Sequence, residues 1–119
     1  MKIAVSSKGT TLDSEVDPRF GRASYIMIVD TDTLDFEAMD NSANCAAFKG
    51  AGIQAATMVS DTGAEVLMTG YCGPKAFQTI SAAGIKVVSD ITGTVRDAVE
   101  KMQSGAVSYT DSANADAHW

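Results

Sequence analysis

Two short segments of this 119-residue chain hold the side chains best suited to bind something: Asp17-Pro18-Arg19-Phe20-Gly21-Arg22-Ala23 and Thr69-Gly70-Tyr71-Cys72-Gly73-Pro74-Lys75-Ala76-Phe77. Each sets a cation and an aromatic ring beside glycine, which lets a backbone approach a ligand closely. Neither is a nucleotide or protease signature. Gly50-Ala51-Gly52 also lacks the lysine and Ser/Thr pattern of a phosphate-binding P-loop. Together the segments predict loops that hold an anionic, non-nucleotide ligand.

Other candidates are weaker. Cys45 and Cys72 lie 27 residues apart, a spacing that fits neither a zinc ribbon nor a CxxC redox pair. They read either as two small buried thiols or as the lining of a metal site. His118, the only histidine, stands beside Trp119 at the end of the chain, so no histidine-based triad is available. Met27, Met58, Met68 and Met102 occupy positions expected to face a core and read as packing. Asp13, Glu15 and Asp17 read as a solvated acidic loop rather than a cation site.

The composition narrows the class. The chain is 45% hydrophobic and 20% charged, ordinary for one globular domain with one core. The formal net charge of −6 lacks the basic field of a general nucleic-acid binder. Even so, residues 41–50 and 70–75 carry Lys49 and Lys75 and no acid. No stretch approaches the ~20 apolar residues of a membrane helix. Met1-Lys2-Ile3-Ala4-Val5 reads directly into a strand rather than a signal peptide. The cytoplasm is the expected compartment, and a structural disulfide is not expected there.

The elements that must position the two segments are readable from local pattern. Lys2–Ser6 is a β-rich apolar run, followed by a polar loop over 7–23. Ser24–Asp30 is continuously apolar, as in a strand buried on both faces. Leu34–Ala38 alternates apolar and acidic residues, as on an edge strand. Gly50–Ser60 predicts a helix with Ile53, Ala56 and Val59 on one face. Strands follow at Glu65–Thr69 and Ile85–Ser89. Pro74 opens a helix whose Ala76, Phe77, Ile80 and Ala83 share a face, and Gly84 stops it. Thr94-Val95-Arg96-Asp97 predicts a capping box for a helix ending at Gly105, with Val95, Ala98, Val99 and Met102 facing in.

The order β-β-β-α-β-α-β-α predicts an α/β fold of ribonuclease H-like layout. It is a five-stranded mixed sheet in the order 3-2-1-4-5, with three helices on both faces. One domain over 1–107 and a flexible C-terminal tail over 108–119 are expected. In such a sheet the loops 7–23, 41–50, 70–74 and 89–93 fall at one edge. Ligands bind there, outside the carboxyl ends of parallel strands where the chain order switches. Lys8, Arg19, Arg22, Lys49 and Lys75 lie in or beside these loops. Two helix starts, near Gly50 and Pro74, point the same way, and such ends favour an anion.

Four pieces of sequence then carry a resemblance: Asp17–Ala23; Gly50-Ala51-Gly52-Ile53-Gln54-Ala55-Ala56; Thr69-Gly70 with Gly73-Pro74-Lys75-Ala76; and Gly93-Thr94-Val95-Arg96-Asp97-Ala98-Val99. In this order they are similar to the dinitrogenase iron–molybdenum cofactor biosynthesis family, in particular its orange protein branch, from residue 2 to about residue 107. The resemblance implies a ribonuclease H-like fold and non-enzymatic carriage of a metal–sulfur cofactor. That cofactor would be a molybdenum–copper sulfide cluster or a related iron–molybdenum–sulfur cofactor. On this reading Arg19, Phe20, Gly21, Arg22, Ala47, Phe48, Lys49, Gly50, Gly52, Gly70, Tyr71, Gly73, Pro74 and Lys75 surround the cofactor. Phe20, Phe48 and Tyr71 would cover its sulfide faces. Sulfide clusters are polyanions with soft acceptor atoms, so charge and N–H donors can hold one without ligation. Coordination by Cys45 or Cys72, as partly exposed thiols of lowered pKa, is the second arrangement.

Two other classes are weighed. One is a protein-interaction module working with a partner ATPase, for which the cluster is a signal. The other is a ribonuclease H-like nuclease. A nuclease needs clustered carboxylates for two metals, yet the first strand reads Lys2-Ile3-Ala4-Val5-Ser6 and the fourth carries only Glu65. A monomer without nucleic-acid or membrane partners is expected.

Overall fold

Strand β1 (Lys2–Ser7) forms the middle of the sheet because its apolar side chains alternate between two buried faces. Ile3 and Val5 point to one side and Ala4 to the other. The same split runs through β2 (Tyr25–Asp30) and β4 (Val66–Met68), where both faces are apolar and buried. A continuous apolar run, rather than an alternating one, is what a strand between two layers requires. The computed structural model describes residues 1–45 and 50–113, with the backbone alone of Cys45.

The sheet has five strands in the order β3-β2-β1-β4-β5, with β3 at Phe36–Asp40 and β5 at Lys86–Val88. β2 is antiparallel to β1 and to β3, while β4 is parallel to β1 and to β5. Ala4 therefore lies opposite both Ile28 and Leu67. This is the mixed sheet and strand order expected from the sequence.

Helices close both faces. One core layer joins Ala4, Ile26 and Leu67 to Ala55, Ala56 and Val59 of α2 (Ala51–Ser60) and Ala76 and Ile80 of α3 (Pro74–Ala82). The other joins Ile3, Met27 and Met68 to Val95, Ala98 and Val99 of α4 (Val95–Ser104). Burying one such aliphatic side chain contributes roughly 1.5–3 kcal/mol against leaving it in water. The capping box of α4 is as predicted. The Asp97 N–H donates to Thr94 Oγ1 at 3.1 Å and the Thr94 N–H to Asp97 Oδ2 at 3.0 Å.

Three local differences from the sequence pattern have physical causes. A four-residue helix, α1 (Ser42–Cys45), precedes α2 and brings the helices among the described residues to four. Its start is held by Asp40, whose carboxylate accepts the Ser42 N–H at 2.8 Å. The edge strand begins at Phe36 rather than Leu34, because the turn extends further. Asp30 Oδ1 accepts N–H groups from Asp32 and Thr33, and Leu34 takes a left-handed φ of 63°. On α2 the inward face is Ala51, Ala55, Ala56 and Val59, and Ile53 is exposed. The α2–α3 approach is close at its start, so small residues face in. A methyl added at Gly52 would lie 3.1 Å from Ala76 Cβ.

At the far edge, the Thr110 N–H donates to the Val87 carbonyl at 2.7 Å. Residues 114–119, with His118 and Trp119, lie outside the described residues, as do Ala46, Ala47, Phe48 and Lys49. Among the described residues no helix is long and apolar enough to cross a membrane.

Candidate functional site

The site is built where β1 and β4, parallel neighbours, end together. Ser6 is the penultimate residue of β1 and Thr69 follows β4, and both are fully buried. Their hydroxyl oxygens are 2.7 Å apart, and Ser6 Oγ donates to the Asp17 carbonyl at 2.7 Å. Since Ser6 has one hydroxyl proton, Thr69 is the donor to Ser6. The Asp17 N–H returns a bond to the Ser6 carbonyl at 2.9 Å. Two loops are thereby anchored to adjacent strand ends.

The loops are also stitched to each other. The Tyr71 N–H donates to the Pro18 carbonyl at 2.6 Å and the Phe20 N–H to the Tyr71 carbonyl at 3.2 Å, a parallel bridge between Arg19 and Tyr71. Asp17, 7% exposed, accepts the Arg19 N–H at 3.0 Å and fixes the turn that carries the guanidinium. The approach is close enough to require glycine. A methyl at Gly70 would sit 2.7 Å from both Pro18 Cα and the Pro18 carbonyl oxygen. A methyl at Gly21 would sit 2.7 Å from Gly52 Cα, in the first turn of α2.

The start of α2, the start of α3 and the two loops thus share one edge of the sheet. Fully buried Asn41, the residue after β3, braces it, its amide donating to the Ala23 carbonyl at 2.8 Å and to the Gly21 carbonyl at 3.4 Å. Neither α2 nor α3 has a side-chain cap or an acid in its first turn, and α3 begins with Pro74. The contrast with the fully capped α4 is sharp. An α-helix start presents N–H groups that lack partners within the helix, with the positive end of its dipole.

Of the cations expected at this edge, Arg19 and Lys75 are exposed, and among the described residues neither forms an ion pair. Arg22 is half-buried in the same loop. Lys8 is paired with Glu15 at 3.3 Å. Tyr71 is 40% exposed. The acids of the first loop are engaged separately: Asp13 with Arg96 at 3.0 Å, Glu15 with Lys8, and Asp17 with its own loop. Among the described residues no three His, Cys, Asp or Glu side chains gather as a metal site.

Two expectations change. Phe20 is 1% exposed and packs in the α2–α3 core layer, so its ring secures the loop from beneath and presents no face to a guest. Cys72 is also 1% exposed, in line with the buried-thiol reading, and burial pushes its thiol up to about 12, the reverse of the accessible thiol of lowered pKa that coordination would use. Its loop is stapled down onto residues 18–20, which turns the side chain inward. The expectations for Ala47, Phe48, Lys49 and the Cys45 side chain fall outside the described residues. Thr69 opens the second sequence segment, but neither the bracing role of its hydroxyl nor that of Ser6 or Asn41 is evident from the sequence. The signal at Ser6 and Thr69 is a polar residue at the end of an apolar run; Asn41, after the alternating β3, has none.

Comparison with known proteins agrees with the fold. Residues 1–105 match the family model described as dinitrogenase iron-molybdenum cofactor. The apo form of the orange protein from Desulfovibrio gigas is 48% identical with a TM-score of 0.93, covering 96% of each chain. A candidate NifB protein from Thermotoga is 32% identical with a TM-score of 0.80, covering 96% of this chain and 98% of its own. A candidate dinitrogenase from Methanocaldococcus jannaschii, 14% identical with a TM-score of 0.71 over 94% of this chain and 96% of its own, shares the fold. No curated protein matches the chain. With nearly its whole length matched, the chain belongs to the dinitrogenase iron-molybdenum cofactor family.

Proposed function

We propose that the chain is a non-enzymatic carrier of a metal–sulfur cofactor, and that it holds a molybdenum–copper sulfide cluster by charge and hydrogen bonding. Residues 1–107 act as one binding unit. The observation that carries the reading is that α2 and α3 open without a side-chain cap or an acid, beside Arg19 and Lys75. A thiometallate is a compact polyanion with soft acceptor sulfurs, and it matches such a surface.

Each part has a role in this reading. N–H groups at the starts of α2 and α3 donate to sulfide. Arg19, Arg22, Lys49 and Lys75 supply positive charge. Gly21, Gly50, Gly52, Gly70 and Gly73 keep methyl groups away from the edge, and the exposed Tyr71 ring covers one side. The absence of a ligand cluster among the described residues and the buried state of Cys72 favour capture over coordination.

The test is a titration with tetrathiomolybdate and copper(I), followed by visible absorption at several salt concentrations. Replacing Arg19 and Lys75 together by Ala is expected to weaken binding by about 1–3 kcal/mol per charged hydrogen bond lost. It should also flatten the salt dependence. Unchanged affinity and salt response in the double variant would exclude this edge as the site.

A further inference from the structure

The two edges of the sheet are treated differently. At β5 the chain covers its own edge. The Thr110 N–H donates to the Val87 carbonyl, Thr110 Oγ1 accepts the Ser89 N–H at 3.2 Å, and Lys86 Nζ lies 5.3 Å from the Tyr109 ring centroid. At β3 nothing among the described residues pairs with the outer side.

The ladder fixes which groups are left. The Asp30 N–H donates to the Asp35 carbonyl and the Asn41 N–H to the Ser24 carbonyl, both at 2.9 Å. In an antiparallel pair the bonded positions recur at every second residue. Glu37 and Met39 therefore turn their backbone groups toward β2, and Phe36, Ala38 and Asp40 turn theirs outward.

The side chains of this edge have a pattern of their own. Phe36, 46% exposed, shares the α4 side of the sheet with Ala38. Asp35 and Glu37 lie on the α2–α3 side with Met39. Between Arg22 and Lys49 the sequence holds five carboxylates, Asp30, Asp32, Asp35, Glu37 and Asp40, and no lysine or arginine. The Met1 amino group lies 3.9 Å from Asp30 and 3.2 Å from Asp32. Among the described residues Asp35, Glu37 and Asp40 are in no ion pair. A second copy of this chain would bring the same carboxylates against these and be repelled.

We propose that the outer edge of β3 is a docking site for an extended segment of another protein in which basic and apolar residues alternate. Laid beside β3, such a segment bonds to the backbone of Phe36, Ala38 and Asp40. Its basic side chains face Asp35 and Glu37, and its apolar ones cover Phe36 and Ala38. The docking does not depend on the identity of the cofactor, because β3 contributes no residue to the cation-bearing loops.

The probe is a capped, fluorescently labelled, strand-length peptide alternating lysine and valine, titrated into the full chain by anisotropy. Two controls keep its composition: one with lysines and valines in separate blocks, and one N-methylated at alternate backbone positions. Ala38→Pro removes an outward N–H without touching a β2–β3 bond, which an edge strand tolerates. Saturable binding of the alternating peptide is expected, weakened about tenfold by Ala38→Pro and by N-methylation. Glu37→Lys is also expected to weaken it. Should the proline variant not fold, the N-methylated peptide carries the same test. Equal binding of all three peptides would mean charge attraction alone and overturn the proposal. So would no saturable binding, or a dimer of the chain that Ala38→Pro dissociates.

Discussion

Replacing Gly21 by Ala separates a packed contact from an empty one by the sign of a free-energy change. Gly21 has no left-handed φ, so alanine there carries no backbone strain. If the space were open, alanine would stabilise the chain by about 0.4–1 kcal/mol through the unfolded state. The added methyl instead lies 2.7 Å from Gly52 Cα, 2.8 Å from Gly52 N and 3.2 Å from the Ala51 carbonyl carbon. All three are backbone atoms of the first turn of α2, which cannot rotate away as a side-chain tip can. Overpacking of this kind costs about 1–3 kcal/mol. A net loss of about 1–2 kcal/mol is expected, with a fall in Tm of roughly 4 °C per kcal/mol. Gly63→Ala is the control: nothing lies within 4 Å of its added methyl, and only its φ of +81° is penalised. Urea unfolding of both variants gives the stabilities, and tetrathiomolybdate titration gives the affinities. Gly21→Ala should weaken binding by pushing the α2 start away from the first loop, while Gly63→Ala should leave binding unchanged. A Gly21→Ala protein as stable as the parent, or more so, would refute the close contact and the site geometry built on it.

Asn41→Ala should cost about 1–3 kcal/mol in urea unfolding, because the buried Ala23 carbonyl loses its donor; an unchanged midpoint would show that Asn41 does not brace the loop. Thr94→Ala should cost about 1 kcal/mol by removing the α4 cap. It should leave cofactor affinity intact, and a parallel loss of affinity would tie α4 to the site. The Cys72 thiol is raised from 9.0 to about 12 by burial. The native state therefore keeps this proton longer than the unfolded chain. Its stabilising share is complete below pH 9 and is lost as pH rises toward 12. Urea midpoints measured above pH 9 should fall more steeply for the parent than for Cys72→Ala. In a Cys45→Ser background, Cys72 should resist alkylation at neutral pH until the chain is unfolded, and rapid labelling of the folded protein would contradict its burial.

What was legible in the sequence follows from how local each cause is. β1, β2 and β4 announce themselves as apolar runs because both of their faces are covered. Thr94 and Asp97 announce α4 because a capping box lies within four successive residues. The strand order followed from the sequence of elements and the rules of connection. The errors lie where distant contacts decide. Ile53 has the spacing of a buried residue, but α2 approaches α3 so closely that alanine faces in instead. A leucine does not advertise a left-handed turn, so Leu34 hid the true start of β3. Phe20 reads as an accessible loop residue and Cys72 as either buried or lining a site; both are buried because their two loops bond to each other across a gap of about fifty residues of sequence. In the site, the cations and glycines were legible by type. The buried frame of Ser6, Thr69 and Asn41 was not, since its meaning rests on partners that only the fold supplies.

Reconstitution of a Cys45→Ser, Cys72→Ala variant with tetrathiomolybdate and copper(I) tests most directly whether the cofactor is held without ligation. Alanine suits the second position because a serine hydroxyl there would be buried. After gel filtration, the folded variant should elute with molybdenum, copper and the visible absorption bands at the stoichiometry of the parent chain. A folded variant that elutes colourless, beside a parent that keeps its colour, would contradict capture by charge and N–H donors and assign the cofactor to cysteine.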